Sequence, residues 1–390
     1  MKNRKLLMIP GPIEFEPSVL RILGAPTTSH VAANFIKSFG HCIKMMRDVW
    51  ISPKGQPFIV AGSGTLAMDM AACNLVEPGD KVLVISTGYF GDRYATILER
   101  YGAEVTVLEA PFGKTICTET IDKTLEDGDF KILTFTHVDT STGILVAPKA
   151  IGALGKKHRV LTILDGVCSV AGEEILQDAW NIDVVLTASQ KAIGVPPGLA
   201  LLMVSEKAMQ VFKTRKTPVL NYYGDFANWL PIMKAYENET PSYFGTPPVN
   251  LIMALEESLK LIVAEGMEQR FARHQQIASA FREAMQCIGL TIFPNSNDIA
   301  ANTLTAVYYP KNISAGDFLG AVKESDIILA GGLLASHKTE YFRVGHMGIV
   351  NQSDIIATIA GIEKALKKCG HSFNLGDGLS KALAILSEQG

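Results

Sequence analysis

One lysine of this chain lies where burial of a charge costs free energy. Lys191 interrupts the stretch LTASQKAIGVPPGLALL, between the apolar end of a strand pattern and a Pro-Pro-Gly turn. A buried cation is unfavourable unless it is paired, loses its proton or is covalently modified. The polar residues at neighbouring strand ends therefore indicate which chemistry Lys191 can perform.

The segment AGSGTLAM changes from a strand pattern to a helix pattern at Gly62. A helix N-terminus presents unpaired N–H groups and a positive dipole, so Ser63, Gly64 and Thr65 could bind a phosphate. The same letters match a loose dinucleotide fingerprint, which requires an acidic residue after the next strand. That strand reads KVLVISTG and has none, which disfavours a nicotinamide cofactor, while simple capping by Ser63 and Thr65 stays open.

Two other strand ends carry residues suited to an aromatic ligand. Asp165 ends the strand LTILD, where a buried carboxylate needs a partner. Phe90 follows the strand KVLVIS and a glycine, and could stack on a flat ring. Taken singly, these residues have structural explanations: a hydrogen-bonded aspartate, a core phenylalanine, and for Lys191 a side chain at the rim of the core.

Together, these features match the needs of pyridoxal 5'-phosphate. Its phosphate requires an anion-binding helix start, its pyridine nitrogen a carboxylate such as Asp165, and its ring an aromatic cover such as Phe90. Its aldehyde requires a lysine for a Schiff base, and Lys191 supplies one. Desolvation disfavours the charged lysine, which makes the amine a usable nucleophile and base.

The elements that must bring these residues together follow an α/β pattern. Residues 57–205 alternate between strands rich in Val, Ile and Leu and helices, which predicts a mostly parallel sheet between helices. In such sheets ligands bind at the carboxyl ends of the strands. After a loop-rich region at 214–248, helices and short strands predict a smaller α+β domain.

The length of 390 residues exceeds that of most single cores and predicts more than one domain. We expect an N-terminal arm over residues 1–22, a large cofactor-binding domain over 23–265 and a small C-terminal domain over 266–390.

Composition excludes several classes of partner. With 47% hydrophobic and 19% charged residues and a net charge of −3, the chain has no basic track for nucleic acid. No apolar run reaches the 18 residues of a membrane span.

Six scattered cysteines have no metal-ligand spacing and favour free thiols in a reducing compartment. A short N-terminal apolar run and the ending SEQG, unlike a peroxisomal SKL, make a cytoplasmic location the expectation.

Motifs along nearly the whole chain resemble the class V aminotransferases, which are pyridoxal-phosphate enzymes of fold type I, and within them the alanine–glyoxylate and serine–pyruvate group. The motifs that carry the resemblance are IPGPIEFEPSVL, GSGTLAMDMAACNLVEPGDKVLV, GYFGDR, THVDTSTGI, DGVCSVAG, DAWNIDVVLTASQKAIGVPPGL, GTPPVNLI and FRVGHMG. The Ser-Gln-Lys block with its Pro-Pro-Gly tail is specific, whereas GSGT alone is weak. The resemblance implies a large domain built on a seven-stranded, mostly parallel sheet.

The resemblance also implies roles around the cofactor ring. Lys191 is the Schiff-base lysine and carries the proton between Cα and C4′. Asp165 faces the pyridine nitrogen. Val167 packs on the ring face opposite Phe90, where many relatives have tryptophan, and Thr140 lies near the ring hydroxyl.

Further residues are implied at the phosphate and the substrate. The resemblance assigns the phosphate to Ser63, Gly64, Thr65 and Gln190, and to Tyr243 and Thr246 of a neighbouring subunit, which predicts a homodimer with shared sites. Arg343 corresponds to the arginine that pairs with the substrate carboxylate, and Gly11 lines the pocket. No metal is implied.

The predicted reaction is transamination of alanine or serine with glyoxylate or pyruvate. The absence of an evident second arginine favours these small donors over dicarboxylates. Two alternatives stay open: another class V reaction, such as transamination of 2-aminoethylphosphonate or aspartate, and a scaffold without activity. A cysteine desulfurase is disfavoured, because Phe90 is not a histidine and GGLLASHKTEYFR lacks a cysteine. Pyridoxamine–pyruvate aminotransferase is disfavoured because it has an acid at the position of Ser63.

Overall fold

The computed structural model describes residues 5–388. The first four residues of the predicted arm and the last two letters of SEQG lie outside this range.

The strands bear out the alternating pattern. They are, in chain order, β1 (Leu6–Leu7), β2 (Gln56–Ala61), β3 (Lys81–Ser86), β4 (Glu104–Glu109), β5 (Ile132–Thr136), β6 (Leu161–Asp165), β7 (Val184–Ala188), β8 (Leu199–Val204), β9 (Leu304–Tyr308), β10 (Ile327–Ile328), β11 (Ala330–Gly331) and β12 (Tyr341–Gly345).

Helices connect and cover these strands. They are α1 (Pro17–Leu23), α2 (Ala33–Val49), α3 (Gly64–Leu75), α4 (Tyr89–Arg100), α5 (Thr118–Asp127), α6 (Pro148–His158), α7 (Glu206–Lys213), α8 (Phe226–Glu237), α9 (Val249–Glu265), α10 (Met267–Cys287), α11 (Ala315–Lys323), α12 (Gln352–Lys368) and α13 (Asp377–Ser387), with one short 3₁₀ turn at Asn297–Ile299. No helix within residues 5–388 is long and apolar enough to cross a membrane.

Seven strands form the central sheet in the order β2-β8-β7-β6-β5-β3-β4. Only β8 runs against the others, since it pairs antiparallel with both β2 and β7 while the remaining neighbours are parallel. The inner strands β5, β6, β7 and β8 are fully buried because helices cover both faces, whereas the edge strand β4 is mostly exposed. The predicted seven-stranded, mostly parallel sheet is confirmed.

The C-terminal part of the chain builds a second, smaller unit. An antiparallel sheet of order β11-β12-β9 packs with α10, α11, α12 and α13 around an apolar core of its own. The break between α9 and α10 at Gly266 coincides with the predicted start of the small domain. The predicted domain limits themselves stay predictions.

The segment after residue 5 joins the small unit to the central sheet. Strand β1 pairs in parallel with β10, and the Gly345 N–H donates to the Met8 carbonyl at 2.9 Å. A few residues further on, the Pro10 carbonyl accepts a hydrogen bond from Lys191 Nζ. The same segment therefore contacts both the small sheet and the lysine that follows β7.

The close packing of Gly345 generates the first prediction. A Cβ on this residue would meet the Ile9 carbonyl group, with the Ile9 carbonyl carbon at 2.5 Å and Pro10 Cα at 2.7 Å. Because backbone cannot move aside as a flexible side chain can, Gly345→Ala should lower the free energy of unfolding by about 1–3 kcal/mol. Chemical denaturation of the purified variant measures this change.

Gly320→Ala is the matched control. Gly320 lies in α11 with no atom within 4 Å of the position of an added Cβ. Since alanine is the better helix former, this variant should be more stable by about 0.5–1 kcal/mol. Equal stability of the two variants would contradict the tight contact at Gly345.

Candidate active site

The predicted site residues meet at the carboxyl edge of the central sheet. Five strands that run in the same direction end beside them: β2, β3, β5, β6 and β7. The residues at or just after these ends are Ser63, Gly64 and Thr65 after β2, Phe90 after β3, Thr140 after β5, Asp165 and Val167 at β6, and Gln190 and Lys191 after β7. The topology thus explains why residues far apart in sequence converge.

Lys191 is buried, with 8% of its surface exposed, and its Nζ donates to the Pro10 carbonyl. Burial lowers the pKa of Lys191, while the nearby Cys168 and Asp165 act in the opposite direction. Because the net effect is a lower pKa, Lys191 loses its proton more readily than an exposed lysine, and the neutral amine is the form that can act as a nucleophile or a base.

The side chain of Lys191 fills space that is free because Gly11 has no side chain. The φ of Gly11 is +127°, which suits glycine, and a Cβ at this position would lie 2.6–2.7 Å from Cδ, Cε and Nζ of Lys191. A side chain here would displace the amine, so glycine is required both by the backbone conformation and by the close approach.

Asp165 is the buried last residue of β6. Its carboxylate accepts hydrogen bonds from the Val167 N–H at 3.0 Å and from Thr136 Oγ1 at 3.4 Å. Burial nevertheless raises the pKa of Asp165 to about 7, and the charge of Asp139 acts in the same direction. A protonated ring nitrogen placed against this carboxylate would offset the unfavourable burial of its charge.

The start of α3 has the properties of an anion site. Ser63 occupies the N-cap position, is exposed and makes no capping bond with its side chain, so the helix N–H groups are not used up by it. A Cβ on Gly64 would lie 2.7 Å from Val167 Cγ2, so the start of α3 adjoins the loop that follows Asp165. Oε1 of Gln190 is buried without a partner among the described residues. Simple capping does not explain these features.

Phe90 lies at the first turn of α4 and is half-buried. Among the described residues it belongs to none of the apolar cores. The Arg93 guanidinium lies 5.0 Å from the centre of its ring and also donates to Thr65 Oγ1 at 3.3 Å. Phe90 is therefore adjacent to the anion site, and the alternative of a core phenylalanine finds no support.

Arg343 comes to this edge from the small sheet. It is 9% exposed, its Nε donates to the Gly331 carbonyl and its Nη1 to the Thr140 carbonyl, both at 2.9 Å. Within residues 5–388 these two bonds leave Nη2 for a ligand. Thr140 is buried, and its side chain lies close to the thiol of Cys168.

Tyr243 and Thr246 lie apart from the cluster. Their hydroxyl oxygens are 3.4 Å from each other, and Tyr243 is 63% exposed with its ring 5.4 Å from that of His30. No hydrogen bond in the described part of the chain joins this pair to Lys191 or to the α3 start.

Two further residues of the site were not predicted from the sequence. Asp139 receives the backbone N–H of Phe90 at 2.9 Å, and Arg93 bridges Phe90 and Thr65. Asp139 lies inside the motif THVDTSTG, where an acid three residues beyond the end of a buried strand was a usable signal. Nothing in the spacing of Arg93 distinguishes it from an exposed helix residue.

The assembled residues fit pyridoxal phosphate. The cluster combines a helix start without a side-chain cap, a buried carboxylate with a raised pKa and a buried amine with a lowered one. These match the phosphate, the pyridine nitrogen and the aldehyde in turn.

Comparison with known proteins agrees with this chemistry. The family model of aminotransferase class V matches residues 21–354. An uncharacterized aminotransferase of Methanocaldococcus jannaschii is 37% identical over 94% of both chains. Alanine–glyoxylate aminotransferase 1 of Saccharomyces cerevisiae is 36% identical, covering 89% of this chain and 93% of its own.

A solved structure shows the same architecture. Ureidoglycine–glyoxylate aminotransferase of Bacillus subtilis superposes with a TM-score of 0.92 at 26% identity, over 100% of this chain and 99% of that one. Sequence, fold and site chemistry thus lead to one conclusion: the chain belongs to the class V aminotransferases, which are pyridoxal-phosphate-dependent enzymes of fold type I.

Proposed function

We propose that the chain transfers the amino group of alanine or serine to glyoxylate or pyruvate. The observation that carries the proposal is the buried amine of Lys191 beside the charged groups of Asp165 and Arg343. Relatives include alanine–glyoxylate and serine–glyoxylate aminotransferases, which supports small donors. Transamination of aspartate is the second candidate, since an aspartate–glyoxylate aminotransferase is 29% identical.

The proposed cofactor contacts follow the site geometry. The N–H groups at Ser63, Gly64 and Thr65 would bind the phosphate, with the side chain of Gln190 near them. Pyridoxal phosphate supplies an aldehyde that condenses with amines and a ring that accepts electron density from Cα.

Around the ring, four residues have proposed roles. The Asp165 carboxylate would hold the proton on the pyridine nitrogen, Phe90 and Val167 would contact the two faces of the ring, and Thr140 would lie near the ring hydroxyl. The support is their convergence at neighbouring strand ends. A tilted or uncovered ring would lose the alignment that the reaction requires.

The proposed proton carrier is Lys191. Its neutral amine removes the Cα proton of the substrate and returns it at C4′, and general base catalysis of this kind contributes about 10²–10⁴-fold. The Pro10 carbonyl orients Nζ, and Gly11 leaves room beside it. Both contacts hold the amine in place without supplying a positive charge.

Arg343 is proposed to bind the substrate carboxylate. Its two backbone hydrogen bonds fix the plane of the guanidinium, so the remaining N–H groups meet a carboxylate in one orientation. The loop between β11 and β12 contains His337 and Lys338 but no further arginine. This favours a donor with one carboxylate over a dicarboxylate.

We also propose a homodimer with shared sites and a cytoplasmic location. Tyr243, together with Tyr222, exposes an aromatic surface near Thr246, which is the kind of surface that subunit contacts cover. Six free cysteines fit a reducing compartment.

Replacing Lys191 tests the reaction. Lys191→Ala should lower transamination by at least about 10²-fold, because it removes the proposed proton carrier. Half-reactions with alanine, serine, glycine, aspartate and 2-aminoethylphosphonate, followed by the visible spectrum, identify the donor. Borohydride reduction and peptide mass spectrometry should find the cofactor mass on the wild-type peptide that contains Lys191.

The control is Lys157→Ala, since Lys157 is an exposed lysine paired with Asp122. It should retain wild-type turnover. Full activity of Lys191→Ala, or a label on another peptide, would refute the proposed role, and a preference for aspartate would select the second candidate.

The pKa of Asp165 predicts a pH-dependent stability of the cofactor-free protein. This pKa is about 7 in the folded state, above the ordinary 3.8, because burial disfavours the charge. Between these values the folded state keeps a proton that the unfolded state releases. The contribution of Asp165 to stability is therefore lost as the pH rises, by up to about 1.4 kcal/mol per unit.

Asp165→Asn removes this titration. Urea unfolding at pH 5, 6 and 7 should show the variant gaining stability relative to the wild type as the pH rises, although its turnover falls. The difference isolates Asp165 from Glu173, whose pKa burial also raises to about 7. A difference that is constant with pH would contradict the assigned protonation.

Mixed subunits test the shared site. Lys191→Ala chains lack the amine, and a Tyr243→Ala, Thr246→Ala double variant lacks the groups offered to the neighbour. In a dimer of one of each, one site is complete, so random re-association should restore about a quarter of wild-type activity. Light scattering checks the dimer, and an inactive mixture of re-associated dimers would contradict shared sites.

A further inference from the structure

Asp139 is a fully buried acid that the proposed chemistry does not use. It follows β5 and none of its surface is exposed. Oδ2 accepts the N–H groups of Phe90 at 2.9 Å and Gly91 at 3.4 Å, and Oδ1 accepts the N–H and the hydroxyl of Ser141 at 2.8 and 2.5 Å. All four of its partners are donors.

On one side, this carboxylate caps a helix that has no cap of its own. The N-cap residue of α4 is Gly88, which has no side chain to offer. A Cβ there would lie 2.9 Å from Cγ of Asp139, so glycine lets the acid approach from the other segment. A carboxylate at a helix start binds free N–H groups and complements the dipole. The position of Phe90, in the first turn, therefore depends on Asp139.

On the other side, the carboxylate fixes the loop that contacts the small sheet. The Ser141 hydroxyl also accepts the Tyr89 N–H at 3.1 Å, and the Ser141 carbonyl accepts a hydrogen bond from Tyr341 at 2.7 Å. The adjacent Thr140 carbonyl accepts Nη1 of Arg343. Asp139 thus joins the helix of the proposed ring-stacking residue to the loop that supports the proposed substrate arginine.

We propose that Asp139 is a positioning residue that sets Phe90 against the cofactor ring and holds the Thr140 carbonyl in place for Arg343. This inference rests on the proposed function, because it assigns Asp139 to the same site. It requires the carboxylate specifically: an amide in the same place presents its NH₂ group to donors on one of the two sides.

Asp139→Asn tests the proposal with the smallest change of shape. A buried N–H that loses its acceptor is costly, so the dissociation constant of pyridoxal phosphate should rise about tenfold or more. The circular dichroism that the protein induces in the bound cofactor should change, because the orientation of Phe90 changes. The KM for the amino donor should rise as well, because Arg343 loses its fixed support.

Asp92→Asn is the matched control. Asp92 is an exposed acid in the same first turn of α4, and it accepts the Ser86 hydroxyl at 2.6 Å. Its replacement removes a charge near the helix start and should leave the dissociation constant and the induced signal within about twofold of the wild type.

A double-mutant cycle separates positioning from general destabilisation. If Asp139 acts through Phe90, then Asp139→Asn in a Phe90→Leu background should raise the dissociation constant by less than about twofold, because the stacking is already lost. A purely structural role would give the same tenfold loss in both backgrounds. Additive losses, or wild-type binding by Asp139→Asn, would overturn the proposal.

Two further measurements keep the outcomes distinct. If Asp139→Asn does not fold, Ser141→Ala removes one partner of the carboxylate and should show a smaller loss in the same direction, whereas unchanged binding would count against the proposal. If wild-type protein neither binds pyridoxal phosphate nor transaminates, the proposed function fails. If it does both and Asp139→Asn behaves identically, only this inference fails.

Discussion

Removal of water from one amine is the constraint on which the rest of this structure depends. Lys191 lies behind the strand ends with a backbone carbonyl as its hydrogen-bond partner, and burial favours its neutral form. That environment exists only because a sheet covered on both faces provides an apolar base and because the N-terminal segment closes over the amine. The fold therefore determines the reactivity of the lysine as well as its position.

Asp165 is buried in the same way, but burial shifts its pKa in the opposite direction to that of Lys191. Burial raises the pKa of the acid and lowers that of the amine, so each group is less charged than it would be in water. The anion site at the start of α3 adds a positive potential at one side of this pocket. The pocket is complementary to a ligand with a negative group at one end and a positive ring nitrogen at the other.

Short sequence patterns were enough to predict the site residues that lie at the ends of strands. The strand ends that carry Asp165 and Lys191, the glycine-rich start of α3 and the mostly parallel sheet follow from runs of apolar residues that stop at polar ones, whereas the number of seven strands came from the family resemblance. Asp139 escaped because its importance arises from a contact with Phe90, 49 residues earlier in the chain. The bond from Arg343 to the Thr140 carbonyl spans 203 residues, and no spacing rule predicts such a pairing.

Strand β1 couples the position of the C-terminal unit to that of the Lys191 amine. Its hydrogen bonds tie the segment before Pro10 to β10 and, through Met8, to Gly345, whereas the Pro10 carbonyl ends at the amine of Lys191. A swing of the C-terminal unit away from the central sheet would thus pull this carbonyl off the amine and withdraw Arg343 in the same movement. One displacement would then both open the pocket for product release and free the lysine for its next bond.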